Sequence, residues 1–194
     1  TQLLDSGAEL VEQALDSLIE RGAVVQEQVA NVEACYLRRL WEAECSACIR
    51  LAGLLAADTD CSAQAGRAVD ELEAQQGITY APLQRQAVEL AARTGVLVLT
   101  GGPGTGKTTT VRGIVALFRR MGLEIVLAAP TGRAAKRMSE LTGMEAQTVH
   151  RMLGMSWNDV THQVTFQKTE KEPLEADAVI VDEMSMVDLA LFSA

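Results

Sequence analysis

One stretch limits what this chain can fold into more than any other. It runs Thr100-Gly101-Gly102-Pro103-Gly104-Thr105-Gly106-Lys107-Thr108-Thr109, and it fits G-x-x-x-x-G-K-[ST] from Gly101 to Thr108. Its flanks suit a phosphate loop. Val96-Leu97-Val98-Leu99 precedes it as a short apolar run that reads as a buried parallel strand. Val111, Ile114, Val115 and Phe118 follow at helical spacing, with Gly122 where such a helix would stop. Gly102, Gly104 and Gly106 lack Cβ atoms, so the backbone can curl around an anion with its N–H groups pointing inward. The helix N-terminus adds partial positive charge. Lys107 is placed to reach β- and γ-phosphates, and Thr108 to offer a hydroxyl to Mg²⁺.

A second stretch completes that chemistry. Ala178-Val179-Ile180-Val181 reads as a buried strand that delivers Asp182 and Glu183 to its C-terminal end. Carboxylates at such an edge are tolerable beside a cation, so Asp182 is assigned to Mg²⁺ through its water shell. Glu183 is assigned to the attacking water.

Between and before these stretches the chain alternates in character. Ala8 to Arg21 carries one apolar stripe and Gly22 caps it. Ala23 to Gln28 and Val32 to Leu37 are expected to pair as a hairpin around Asn31. A helix is expected over Arg38 to Ala56, with Leu37, Trp41, Cys48, Leu51 and Leu55 near one face and Trp41 as a core anchor. A polar break and a short acidic helix lead to Gly77. Residues 1–76 therefore read as a small, mainly helical module, and 77–194 as a partial ATPase domain. Pro82 opens the next helix. A strand over Glu124 to Ala129 turns at Pro130-Thr131-Gly132 into a basic helix. Ala146 to Gly154 reads as a short helix and Trp157 to Lys168 as a surface hairpin or loop. Alternating strand and helix predicts an α/β fold with a parallel sheet.

The four cysteines, at 35, 45, 48 and 61, include one C-x-x-C inside a helical pattern, and buried free thiols are expected rather than a metal site. The net charge of −9 excludes a generally basic nucleic-acid-coating protein, so any DNA contact must come from a local basic patch. No run spans a membrane and no signal peptide opens the chain, which makes a cytoplasmic protein the expectation. A first residue Thr1, not methionine, makes a processed or excised piece the expectation.

Several segments together resemble successive motifs of RecD-like helicases, superfamily 1 motors that move 5′ to 3′ on single-stranded DNA. They are Gly101 to Thr109, Ala128 to Met138, Thr148-Val149-His150-Arg151-Met152-Leu153-Gly154, and Val179-Ile180-Val181-Asp182-Glu183-Met184-Ser185-Met186. The likeness is strong over residues 78–194 and weak before them. It implies an incomplete RecA-like P-loop domain, with ATP and Mg²⁺ as cofactors. Lys107, Asp182 and Glu183 are the implied catalytic residues. Gln84 resembles the adenine-reading glutamine, with Gln86 as its rival; an amide pairs with both donor and acceptor of the adenine edge. With Gln84, residues Gly102, Pro103, Gly104, Thr105, Gly106, Lys107, Thr108 and Thr109 form the implied nucleotide site. Thr108 and Asp182 are the implied Mg²⁺ ligands. For single-stranded DNA, Thr131 and Arg133 are the implied phosphate contacts, Lys136 and Arg137 add positive field, and His150 either lies near the DNA or caps the packing between loop and sheet.

The family's next glutamine-bearing motif, second motor domain and arginine fingers do not occur in these 194 residues. The chain alone is expected to bind ATP weakly and not to unwind DNA. A non-catalytic nucleotide-binding or protein-interaction module is the alternative, and a P-loop kinase a weaker third. The resemblance also implies that a further strand separates Val96–Leu99 from Ala178–Val181. Strand-exchanged self-association or local disorder at these edges is therefore expected ahead of direct pairing.

Overall fold

In the computed structural model, residues 7–57, 62–102, 104–158 and 163–194 are described. Their contacts divide the chain into two compact units, one made of residues up to Arg50 with Ser193, the other of Leu51 to Phe192 with Ala194.

In the first unit, helix α1 (Ala8–Glu20) ends where Gly22 takes φ +69°. Strands β1 (Val24–Val29) and β2 (Val32–Leu37) form an antiparallel ladder, from Val24 opposite Leu37 to Val29 opposite Val32. Ala30 and Asn31 close it with φ of +48° and +66°. Both are left-handed, as the tightest hairpin turns require. Helix α2 (Arg38–Ala56) follows, and the division between units falls inside it. The expected core stripe of α2 is not buried. Leu37, Cys48 and Leu55 are exposed, Trp41 is half-buried with its indole N–H donating to Glu27 Oε2 at 3.1 Å, and Ala47 alone on α2 is buried. The thiols correct the sequence reading too. Cys35 and Cys48 are exposed and Cys45 half-buried, all three free, while Cys61 lies outside the described residues.

In the second unit, α3 (Ser62–Gln76) stops at Gly77, and α4 (Pro82–Ala91) starts with proline in its first turn. Helix α5 (Lys107–Arg120) is the hub, burying Thr110, Gly113, Ile114, Val115, Leu117 and Phe118. One side of it packs Ile114, Leu117 and Phe118 on Ala65, Val69 and Leu72 of α3 and on Tyr80, Val88 and Ala92. Contacts thus join α3 to the residues after Gly77, although the composition changes there. The other side sets Val115 against Leu127 of β3 (Ile125–Ala129) and Met138 of α6 (Gly132–Thr142).

The parallel sheet has the order β4-β3-β7, with β4 (Ala146–Thr148) and β7 (Ala178–Val181) on either side of β3. Leu127 lies opposite both Ala146 and Ile180. Its far face packs Ala128 with Val149 and Met152 of α7 (Val149–Met152), and with Leu191 of the terminal helix α8 (Leu189–Phe192). Between α7 and β7 stands a small antiparallel hairpin, β5 (Ser156–Asn158) with β6 (Gln163–Thr165).

Three expectations change here. The short helix begins at Val149, and Ala146–Thr148 is a strand, because β3 offers its edge to those residues. Strand β7 is half-buried with Val179 exposed, so it is less enclosed than an all-apolar run predicts. Val96–Leu99 joins no ladder: Leu97 packs against the α3–α5 core while Val98 stays 79% exposed. Both edges of β3 are taken, and Val96–Leu99 does not lie along the remaining edge of β7, so it has no partner with which to form a ladder. Direct pairing of Val98 with Ile180 is absent.

Candidate functional site

The phosphate loop is shaped largely by its own atoms. Gly104 (φ +77°) and Gly106 (φ +80°) take backbone conformations that a side chain would strain, and Gly106 caps α5. The Thr105 hydroxyl donates to the Gly102 carbonyl at 2.9 Å, which closes the loop on itself. A Cβ at Gly101 would lie 2.6 Å from that same hydroxyl oxygen. Buried Thr110 donates its hydroxyl to Gly106 O at 3.2 Å. Lys107 and Thr109 are exposed and Thr108 is half-buried, so the side chains expected to meet phosphate and metal are accessible. Pro103 lies outside the described residues.

Beside this loop stands the first turn of α4. Gln84 is half-buried, whereas its rival Gln86 is exposed. The Gln84 Oε1 accepts the Ala81 N–H at 3.1 Å, so the side chain caps its own helix. Its Nε2 donates to Thr105 O at 3.5 Å. A Cβ at Gly106 would come within 2.1 Å of that nitrogen, so the loop glycine is also a clearance for the amide.

A set of charges behind Gln84 escaped the sequence reading. Arg85 pairs with Asp70 (2.6 Å) and Glu73 (2.9 Å) of α3 and with Glu89 (2.9 Å) of α4. Only Glu89, four residues on along one helix, could have been found from spacing. The hydrogen bond to Asp70, more than any other influence, holds the guanidinium pKa above its ordinary value; partial burial opposes it. Glu73 also accepts the Tyr80 N–H at 2.7 Å. Burial pushes the Tyr80 phenol above its ordinary pKa, Glu73 adds to that, and Arg112 opposes it.

The other candidates gather at the carboxyl ends of the three parallel strands, where open α/β sheets place ligands. β3 leads to Thr131, whose hydroxyl accepts the Ala134 N–H (3.2 Å) as the cap of α6. Arg133, Lys136 and Arg137 are all exposed on that helix. β4 ends in Thr148, which caps α7 by accepting the Arg151 N–H (3.2 Å), and His150 is exposed within the first turn. β7 leads to Asp182, whose N–H donates to Ala128 O at 3.0 Å. The Asp182 Oδ1 accepts the Glu183 N–H at 2.9 Å. Glu183 has φ +53°, a strained conformation for a residue with a side chain, of the kind that clusters at working sites. Helix α5 packs on β3 and returns to its start through residues 121–124, so it runs against the strand and aims its N-terminus at the same edge.

Comparison with known proteins adds to this geometry. A protein-family model described as an AAA domain matches residues 84–194. The ATP-dependent RecD2 DNA helicase of Deinococcus radiodurans is 44% identical over 108 residues, which cover 56% of this chain and 14% of that protein. The RecBCD enzyme subunit RecD of Mycolicibacterium smegmatis is 35% identical over 181 residues, covering 81% of this chain and 31% of the relative. The ATP-dependent DNA helicase dda of Enterobacteria phage T4 is 42% identical over 100 residues, covering 50% of this chain and 22% of its own. The chain spans less than a third of the length of each.

Proposed function

The chain belongs to the AAA domain family, in its RecD-like branch, and from that premise we propose that it is the ATP-binding portion of a DNA helicase. In this reading the whole protein couples ATP hydrolysis to 5′ to 3′ movement on single-stranded DNA. One observation carries the reading. The N-terminus of α5, Thr131, Thr148 and Asp182–Glu183 share a single sheet edge, with the Gln84 amide beside the phosphate loop.

Each group has work suited to its chemistry. Backbone N–H groups of the loop and the α5 N-terminus hold phosphate oxygens, and Lys107 neutralises the β- and γ-phosphates. Thr108 and Asp182 are hard oxygen donors of the sort Mg²⁺ takes alongside water and phosphate, so the residues fit that ion. Bound there, it would offset charge on the phosphate oxygens. Glu183 orients the attacking water, and Gln84 reads the adenine edge. Thr131, Arg133, Lys136, Arg137 and His150 meet the DNA strand. With a net charge of −9 on the chain, that contact is a local one with a modest salt slope. No described helix is long and apolar enough to cross a membrane.

The test is calorimetric. Lys107→Ala removes the phosphate charge from an exposed position without disturbing the core, so ATP–Mg²⁺ binding should fall by at least about a hundredfold. Equal affinity in wild type and variant would defeat the assignment. ATP turnover measured with and without single-stranded DNA separates a motor portion from a nucleotide-binding or protein-interaction module.

A further inference from the structure

We propose that Arg85 is a positioning residue for the nucleotide base: its clamp on α3 fixes the first turn of α4 so that Gln84 stands at a set place over the phosphate loop. This rests on reading Gln84 as the residue that meets the base. Two consecutive side chains face different ways with connected effects. Arg85 reaches back to Asp70 and Glu73 on α3, and to Glu89 one turn along α4. Its side chain is 33% exposed and makes one bond from each of its three guanidinium nitrogens, so the geometry of the fork is defined by three partners. Three carboxylates around one guanidinium leave excess negative charge, and partly exposed pairs of this kind add little stability. Such a fork fixes direction better than it adds energy.

Glu73 carries the same restraint to a second point. One oxygen holds Arg85 and the other accepts the Tyr80 N–H, so the lead-in to α4 is tied to α3 on both sides of Ala81. Ala81 in turn donates to Gln84 Oε1. The carbonyl end of that amide is thereby turned toward the helix start, and its NH₂ end toward the loop at Thr105 O. At 3.5 Å the Thr105 bond is long, and a better acceptor can replace it. The body of α4 is held separately, through Val88 in the α3–α5 core. Loosening the clamp should therefore move the first turn and Gln84 while the helix stays in place.

The variants are Arg85→Met, which keeps the stem without the charge, and Arg85→Lys, which keeps the charge without the fork. The ligands are ATP–Mg²⁺, GTP–Mg²⁺ and inorganic triphosphate, each by calorimetry. Both variants should lower the ratio of ATP to GTP affinity by about tenfold, the worth of one well-placed hydrogen bond. Triphosphate affinity should stay within about twofold, since the loop and Lys107 are untouched. Gln84→Ala should give the same loss of ratio, and combining it with Arg85→Met should add nothing. Amide exchange without ligand provides a second readout, faster at Ala81 in Arg85→Met and unchanged at Val88. An unaltered ratio in either variant, a parallel fall in triphosphate binding, or a uniform rise in exchange would overturn the proposal. A wild type that binds ATP and GTP alike would overturn it as well. A wild type that binds none of the three ligands would overturn the nucleotide reading, and this proposal with it.

Discussion

The two compact units are built on different physics. In the first, α1 buries no residue, and Val24 and Ala47 are the buried apolar residues among those described. Order there comes from the β1–β2 ladder, a left-handed two-residue turn, and side-chain bonds such as Trp41 to Glu27. In the second, three clusters of buried side chains surround α5 and β3. Local hydrogen bonds net little apiece, whereas apolar burial accumulates with area. Cooperative resistance to unfolding should therefore reside in the second unit, with the first opening at lower cost.

Substitutions test that contrast, starting with the largest effect. Leu117 is fully buried between α5 and α3, and Leu117→Ala should cost about 2–5 kcal/mol in urea unfolding of the second unit. Leu10, 66% exposed on α1, should cost less than about 0.5 kcal/mol when changed to alanine. Comparable losses at the two sites would erase the distinction. A methyl group added at Gly113 would meet the Tyr80 hydroxyl at 2.8 Å and Val88 Cγ2 at 2.9 Å. Gly113→Ala should thus destabilise the second unit by about 1–3 kcal/mol through overpacking, read as a lowered urea midpoint. The smallest effect is expected in the first unit. Ala30→Gly removes the left-handed strain at φ +48° and should slow amide exchange across β1–β2 by an amount equivalent to about 0.5 kcal/mol, leaving the second unit's midpoint alone.

Legibility in the sequence follows the same divide between local and distant causes. The helix after the phosphate loop, its stop at Gly122, the hairpin around Asn31 and the strand before Asp182 were readable because each is decided by spacing within a few residues. Periodicity names the apolar face of a helix but not whether anything covers it, so the stripe on α2 predicts a core that the exposed Leu55 and Cys48 do not form. Val96–Leu99 has the composition of a strand, yet a strand is made by its neighbours. Ala146–Thr148 is the converse: a three-residue run too short to show a period becomes a strand because β3 lies alongside. In the candidate site, the loop and the Asp-Glu pair were legible as motifs. The Arg85 clamp was not, since Asp70 and Glu73 lie fifteen and twelve residues away on another helix.

The threonine caps on α6 and α7 have a further consequence. Thr131 and Thr148 each use an oxygen lone pair to accept a helix N–H; Thr148 ends β4 and Thr131 lies two residues beyond β3, adjacent strands about 4.8 Å apart. A hydroxyl that accepts in this way still has its own proton to give, in a direction the cap has narrowed in advance. Aspartate would cap as well as threonine but has no proton to donate, and its charge would repel a phosphate. Thr131→Asp should therefore leave thermal stability near wild type while weakening binding to single-stranded DNA, whereas Thr131→Val should damage both. On the proposed reading, the helix cap and the contact to a DNA phosphate are then two separable uses of one oxygen.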